Sequence, residues 1–247
     1  EHLVNTYIYC TSELKDMLQV SIYSMERSGN GQFLENLHIG TDRDSYDCIS
    51  KAVEYPVECF DAIDLPCDSD FSHKSMAGKV QLVEKYGSGL IIDADTLFIK
   101  HIEFPEKFTK KAGGVQDCGY FTRGNTERIW TPEYCNVGFF YAPEGANVED
   151  FKKFCKEYNP MYPEQDYLNW IYKEKYLYPK FWNIHIPNMA YPWETDKICM
   201  IHYTSKKPGI NQTCKSSRQK FSNYEFLNLW YGAKKEYDEV MNDKSWY

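Results

Sequence analysis

The sequence predicts an α/β fold, a single domain with a mostly parallel central sheet flanked by helices. Three observations carry that prediction. The first half alternates short β-branched and aromatic runs with longer segments whose apolar residues recur at helical spacing. A length of 247 residues suits one domain with a sizeable core better than two small ones. No internal repeat, low-complexity tract or interdomain linker divides the chain.

The elements follow in order. "LVNTYIYC" (3–10) reads as an opening buried strand that stops at Thr11-Ser12, where a helix N-cap would sit. "ELKDMLQVSIYSMERSG" (13–29) sets Leu14, Met17, Leu18, Ile22 and Met25 on one helical face and ends on Gly29. "FLENLHIG" (33–40) and "VECFDAIDL" (57–65) read as strands, with "DSYDCISKAVEY" (44–55) helical between them. "SHKSMAGKVQLVEKYG" (72–87) is an amphipathic helix whose turns are marked by Met76, Lys79, Val80 and Val83 and whose stop is Gly87. The strand "GLIIDAD" (89–95) follows it. In the second half "YCNVGFFYA" (134–142) and "ICMIHYT" (198–204) are strand candidates, and "VEDFKKFCKEY" (148–158) and "EQDYLNWIYKEKY" (164–176) are helices. The closing helix, "SNYEFLNLWYGAKKEYDEVMND" (222–243), opens with Ser222 and Glu225 in capping-box register.

Composition narrows the function. Hydrophobic residues make up 43% and charged residues 26%, which excludes a disordered tail protein. A net charge of −8 argues against a nucleic-acid partner, because phosphate backbones reward clustered Lys and Arg. A small phosphorylated ligand needs only local compensation, from a metal, one or two lysines or a helix N-terminus. The 21 Tyr, 14 Phe and 6 Trp suit either a cleft lined with stacking faces or an aromatic core. Nine cysteines, at 10, 48, 59, 67, 118, 135, 155, 199 and 214, form no zinc-spaced cluster. An odd count without a dense framework favours reduced thiols and a cytoplasmic location. Asn211-Gln212-Thr213 is a glycosylation sequon of a kind that recurs by chance. No apolar run is long enough to span a bilayer, and no signal-peptide pattern is present. The chain opens on Glu1 rather than Met, as a trimmed chain would.

Asp93 and Asp95 stand at the carboxyl end of a predicted strand, where open α/β sheets hold their ligands. Residues one apart in an extended chain point to opposite faces, so both carboxylates reach one ion only if the chain turns there. Oxygen ligands suit a hard cation such as Mg²⁺ or Mn²⁺ that keeps positions open for a diphosphate. On D-x-D alone the polar tip of a buried strand is the preferred reading, since so short a motif recurs by chance.

Further motifs change that ranking. In order, "IIDADTLFIK", "CNVGFFYAP", "PEQDYLNWIY" and "ICMIHYTSKKPG" resemble the glycogenin-like glycosyltransferases, the family 8 enzymes with the GT-A fold. The resemblance runs from "YIYCTS" to "KKPG" and lies in the order and spacing of several motifs. It implies a Rossmann-like GT-A domain with a nucleotide-binding half over about 1–100, an acceptor half over about 101–221 and a closing helix over about 222–243. It also implies that Asp93 and Asp95, with Ala94 between them, bind a divalent metal bridging the two phosphates of a nucleotide sugar. His202 matches the third protein ligand, although a histidine after an apolar strand is more often a hydrogen-bonded core residue. An imidazole beside two carboxylates shifts the preference from Mg²⁺ toward Mn²⁺. Lys207, before Pro208, matches the lysine on the diphosphate. The family usually reads His-x-x-Gly-x-x-Lys-Pro-Trp; here Ser205 stands at the glycine, one residue is missing and Gly209 replaces Trp, so either Lys206 or Lys207 makes the contact.

The same resemblance implies that Tyr9, Cys10, Thr11 and Ser12 hold base and ribose, against the plainer reading of a strand end with a helix cap. Lys79 falls where relatives carry a basic residue facing the donor, and a solvated lysine is an equal reading. Asp117 and Asn136 correspond to residues that reach the donor sugar, and Gly138 lets backbone approach closely. Glu164 and Gln165 take the Asp-Gln position, with Gln165 beside the anomeric carbon. For Asp166 the competing reading is an acidic first turn favoured by the helix dipole. The implied activity is transfer of a hexose from a nucleoside diphosphate sugar, UDP first, to a hydroxyl of a glycan or glycoprotein acceptor. Retention by front-face attack is expected because Gln165 is a poor nucleophile, with Glu164 the fallback carboxylate and Asp117 or Asp166 the base in an inverting variant. Two alternatives stand beside it: a catalytically inactive GT-A module that binds nucleotide sugar or carbohydrate, and a phosphatase of the haloacid dehalogenase type. The phosphatase pattern requires Asp-x-Asp-x-Thr, whereas Thr96 follows Asp95 directly.

Overall fold

The computed structural model describes residues 3–68, 73–117, 133–185, 196–204, 207–208 and 223–244. Its chain begins with β1 (Thr6–Tyr9), α1 (Lys15–Arg27), β2 (Leu37–Asp42), α2 (Tyr46–Ala52), β3 (Val57–Phe60), α3 (His73–Tyr86) and β4 (Gly89–Ile92). β5 (Thr96–Phe98), β6 (Gly113–Gln116), β7 (Cys135–Ala142), α4 (Val148–Tyr158), α5 (Pro163–Ile171) and β8 (Tyr176–Leu177) follow. β9 (Ile184–His185), β10 (Met200–His202) and α6 (Asn223–Lys244) complete it.

Seven strands form the central sheet in the order β3-β2-β1-β4-β7-β6-β8, and only β7 runs against the rest. This is the mostly parallel sheet expected from strand and helix alternation. Its two faces are covered as the pleat demands. Tyr7, Ile91 and Phe140 point toward Val80, Leu82, Phe151 and Leu168 on α3, α4 and α5. Their neighbours Ile8, Leu90, Ile92 and Phe139 point the other way, toward Leu18, Ile22 and Met25 of α1. A second, three-stranded sheet, β5-β10-β9, packs with Met17 and Val20 of α1 and with Phe226 and Trp230 of α6.

Several boundaries depart from the expectations. Neither Thr11 nor Ser12 caps a helix with its side chain: a tight 3-10 turn over Ser12–Leu14 intervenes, so the cap position of α1 falls on Leu14. The Ser12 N–H instead donates to the Ser45 hydroxyl oxygen at 2.9 Å. β2 starts only at Leu37, after another 3-10 turn at Gly31–Phe33. α5 ends at Ile171, not 176, because sheet pairing competes for the chain: the Tyr176 N–H donates to the Ala112 carbonyl at 2.8 Å, opening β8. The Lys175 ammonium satisfies the Tyr172 carbonyl at 2.6 Å beyond the end of the helix. Gly29 and Gly87 do stop α1 and α3, both at positive φ. The Ser222 and Glu225 capping box and the sequon lie outside the residues whose side chains are described. Among the described residues no helix is long and apolar enough to cross a membrane, and Cys10, Cys48, Cys59, Cys67, Cys135, Cys155 and Cys199 are free thiols.

Candidate functional site

Asp93 leaves the carboxyl end of β4, and Ala94-Asp95 turn the chain into β5. That turn is what both carboxylates needed to face one point. Backbone bonds hold it from two sides: the Asp93 N–H donates to the Gly138 carbonyl at 3.0 Å, and the Tyr203 N–H donates to the Asp95 carbonyl at 2.9 Å. β5 pairs antiparallel with β10, opposing Thr96 to His202. The His202 imidazole therefore arrives between the aspartates, with Nε2 at 3.1 Å from Asp93 Oδ2 and 3.1 Å from Asp95 Oδ1. One ligand atom from each residue falls within 4.8 Å of the others.

The donor set fits a divalent ion. Two ligands at about 2.1 Å on adjacent octahedral corners lie about 3.0 Å apart, close to both observed separations. His202 and Asp95 are buried, and His202 Nδ1 has no hydrogen-bond partner, so on that side of the ring packing takes the place of a polar contact. Gly138 makes that packing possible: a Cβ there would lie 2.2 Å from His202 Cε1.

Two lysines neutralise the remaining aspartate oxygens. Lys207 pairs with Asp95 Oδ2, and Lys79 pairs with Asp93 Oδ1 and, at 2.8 Å, with Glu164 Oε1. Lys79 is buried, which overturns the reading of a solvated lysine. Burial opposes its charge, but Asp93 and Glu164 outweigh that and hold its pKa above the ordinary value. Asp93 is half-buried, and although desolvation opposes its charge, Lys79 and His202 keep its carboxyl well below the usual range. Glu164 rises to about 7 because burial outweighs Lys79. Lys207 falls to about 8, again through burial, with Asp93 only partly offsetting it.

Beside the triad runs a relay of side chains. Asn136 Nδ2 donates to Gln165 Oε1 at 3.0 Å, and Gln165 Nε2 donates to Asp117 Oδ2 at 2.9 Å. Asn183 Nδ2 donates to Asn136 Oδ1 at 3.0 Å. Burial raises the pKa of Asp117. Asp166, the residue after Gln165, has both oxygens engaged, by the Tyr134 hydroxyl at 2.5 Å and the Tyr162 N–H at 3.2 Å. The latter bond reaches back across the first turn of α5, as expected of an acidic N-terminal residue.

The end of β1 flanks the same edge. The register pairs Tyr7 with Ile91, so Tyr9 stands level with Asp93 two residues on. Tyr9 and Cys10 are buried, Thr11 is half-buried and Ser12 is exposed. Burial pushes the Cys10 thiol up, and Lys207 is near enough to pull partly against it. Lys206, Ser205 and Gly209 lie outside the described residues.

Sequence reasoning missed Asn183 and His185, which β9 brings beside the site. His185 pairs in register with His202, their rings 5.3 Å apart and edge to face. Burial, then His202, push His185 down to about 3. The signal was present in "NIHI" (183–186), where polar and apolar residues alternate as in a half-buried strand. The partnership of Lys79 with Glu164 had no such signal, because the two residues lie on different helices.

No protein-family profile and no curated protein matches the chain in sequence. Solved structures do. The galactosyltransferase LgtC, in complex with donor and acceptor sugar analogs, matches with a TM-score of 0.62 at 13% identity, covering 94% of this chain and 95% of LgtC. An active-site mutant of LgtC matches with a TM-score of 0.60 at 13% identity, over 93% and 95% of the two chains. The apo form of the bifunctional glycosyltransferase WbbM matches with a TM-score of 0.60 at 17% identity, over 84% of this chain. The chain spans about half of WbbM, 47% of its length. At such identities the likeness establishes the fold, and that fold is the GT-A architecture of glycosyltransferases.

Proposed function

We propose that the protein is a metal-dependent glycosyltransferase that moves a hexose from a nucleoside diphosphate sugar, a UDP-sugar, to a hydroxyl of a glycan or glycoprotein acceptor. The observation that carries this reading is the convergence of Asp93, Asp95 and His202 at the carboxyl end of β4, in a fold shared with glycosyltransferases. These three residues would hold Mn²⁺ or Mg²⁺. When bound, the ion supplies positive charge that stabilises a departing diphosphate. Lys207, paired with Asp95, would supply a cation for the same phosphates. Lys79 holds Asp93 and Glu164 in place from within the protein. Tyr9, Cys10, Thr11 and Ser12 border the nucleoside side of the cleft. Asn136, Gly138, Glu164, Gln165 and Asp117 border the sugar side. Gln165, tied to Asn136 and Asp117, is suited to positioning and not to forming a bond, which favours retention by front-face attack. In an inverting variant the base would be Asp117, since both Asp166 oxygens are already bonded.

One observation favours the inactive binding module as a second reading: both aspartates already carry an ammonium partner, which is how a site without an ion would be neutralised. The phosphatase reading has no such support. Thr96 is buried, its hydroxyl bonded to the Asp93 carbonyl and the Ser21 hydroxyl, both at 2.9 Å, and it faces no ligand space.

The test is a thermal-shift screen of UDP- and GDP-sugars with Mn²⁺. A ligand at a hundred times its Kd adds about 2.7 kcal/mol, or roughly 5–10 °C for a chain of this size. A shift that chelation abolishes, accompanied by Mn²⁺-dependent hydrolysis of the donor, is the expected result. Binding without hydrolysis would select the inactive module, and no shift with any nucleotide sugar would end the transferase reading and leave only a carbohydrate-binding module.

A further inference from the structure

Cys67 and Cys155 belong to parts of the chain that meet only in the fold. Cys67 lies between β3 and α3, and Cys155 sits near the end of α4. Their side chains pack in one apolar cluster with Leu65 and Phe154, and their thiols share a hydrogen bond. Neighbouring residues fasten this meeting. The Asp68 N–H donates to Asn159 Oδ1 at 2.7 Å, and Asn159 Nδ2 donates back to Asp68 Oδ2 at 3.2 Å. Asn159 ends α4 in the left-handed region, at φ 44°, with its N–H on the Cys155 carbonyl at 3.0 Å. A two-bond clamp thus stands one residue beyond Cys67 and one helical turn beyond Cys155.

A buried cysteine by itself is a small core hydrophobe. These two differ in access: Cys155 is buried, whereas Cys67 is only half-buried and open to an attacking reagent. From the thiol contact, the clamp and this difference in access we infer that Cys67 and Cys155 are a redox-active pair, closing to an intrachain disulfide with a small disulfide oxidant such as oxidised glutathione and reopening with excess thiol. The order of steps follows from exposure. The Cys67 thiolate attacks one sulfur of the oxidant, whose S–S bond breaks, and one glutathione leaves with the electron pair. Cys155 then loses its proton and attacks the Cys67 sulfur of the mixed disulfide, expelling the second glutathione. Two protein thiols are oxidised, one disulfide is reduced, and both protons end on glutathione. Cys155 cannot begin the sequence, because burial, and then the neighbouring Cys67 sulfur, push its thiol up and keep it protonated.

The test is incubation of the folded wild-type chain with oxidised glutathione, followed by non-reducing peptide mapping of all nine cysteines and thermal unfolding. The map should show Cys67 joined to Cys155 within one chain. In Cys155→Ser the reaction should stop at a glutathione adduct on Cys67, and in Cys67→Ser the Cys155 thiol should stay unmodified. Because the bond closes a long loop without moving the clamp, the oxidised wild type should melt roughly 5–15 °C above the identically treated Cys155→Ser protein, measured against their reduced difference, and excess thiol should cancel the gain. Asn159→Gly keeps the left-handed helix end and removes the clamp, so the link should form severalfold more slowly. An unchanged rate would overturn the part given to the clamp. Wild-type protein that stops at the Cys67 adduct, a link that forms only after denaturation, or a melting temperature lowered by the link would each overturn the inference. The wild-type map needs no variant to fold.

Discussion

Gly138→Ala tests whether the triad is held by packing. The glycine sits in the buried strand β7, and a Cβ there would lie 2.2 Å from His202 Cε1, 2.5 Å from Nδ1 and 2.9 Å from Asn136 Oδ1. Normal carbon contacts begin near 3.5 Å, so the imidazole would have to retreat by about 1.3 Å. Metal ligation tolerates roughly 0.2 Å, so a displacement of that size removes His202 from any ion shared with Asp93 and Asp95. The Asn136 amide, on the other side, would lose its bond from the Gly138 N–H. Overpacking of this kind costs about 1–3 kcal/mol, or roughly 2–12 °C for a domain of this length. The expected result is a folded protein with a lowered melting temperature and Mn²⁺ affinity reduced tenfold or more, read by calorimetric titration and thermal unfolding on the same sample. Wild-type Mn²⁺ affinity in a folded Gly138→Ala protein would refute the claim that His202 binds the ion from this position.

Lys79→Met removes the partner of the buried Glu164 and the half-buried Asp93 and should cost about 3–5 kcal/mol in urea unfolding, while adding Glu164→Gln should recover part of the loss. An unchanged urea midpoint would mean that the lysine is not the counter-ion. Asp166 gives a pH test. Burial raises its carboxyl to about 6, above an unfolded value near 3.9, so the native state holds this proton more tightly. Its contribution to stability is therefore complete below about pH 4 and lost as pH rises through about 6. The stability of the wild type relative to Asp166→Asn should fall by about 2 kcal/mol between pH 4 and pH 7, and parallel profiles for the two proteins would contradict this.

Elements that bury one face along their own length were legible in the sequence. The apolar periodicity of α1 and α3, the glycine stops at Gly29 and Gly87 and the continuous apolar run of β4 depend on neighbours within a turn or two. Elements defined by a distant partner were not. β5, β8 and β9 have 3, 2 and 2 residues, too few for a period, and exist because β10 and β6 offer free edges.

The candidate site divides in the same way. Asp93, Asp95 and His202 were chosen from chemistry and order along the chain, since a hard cation wants such donors at strand ends. The sequence by itself determined which atoms were available to ligate. Whether they met was decided by the turn at Ala94-Asp95 and by β10 folding back on β5. The pairing of Lys79 with Glu164 and the placement of Asn183 belong wholly to the tertiary structure. A buried ion pair between α3 and α5, or the Asn183 amide donating to Asn136 Oδ1, depends on proximity between residues far apart in the chain, and no local pattern encodes it.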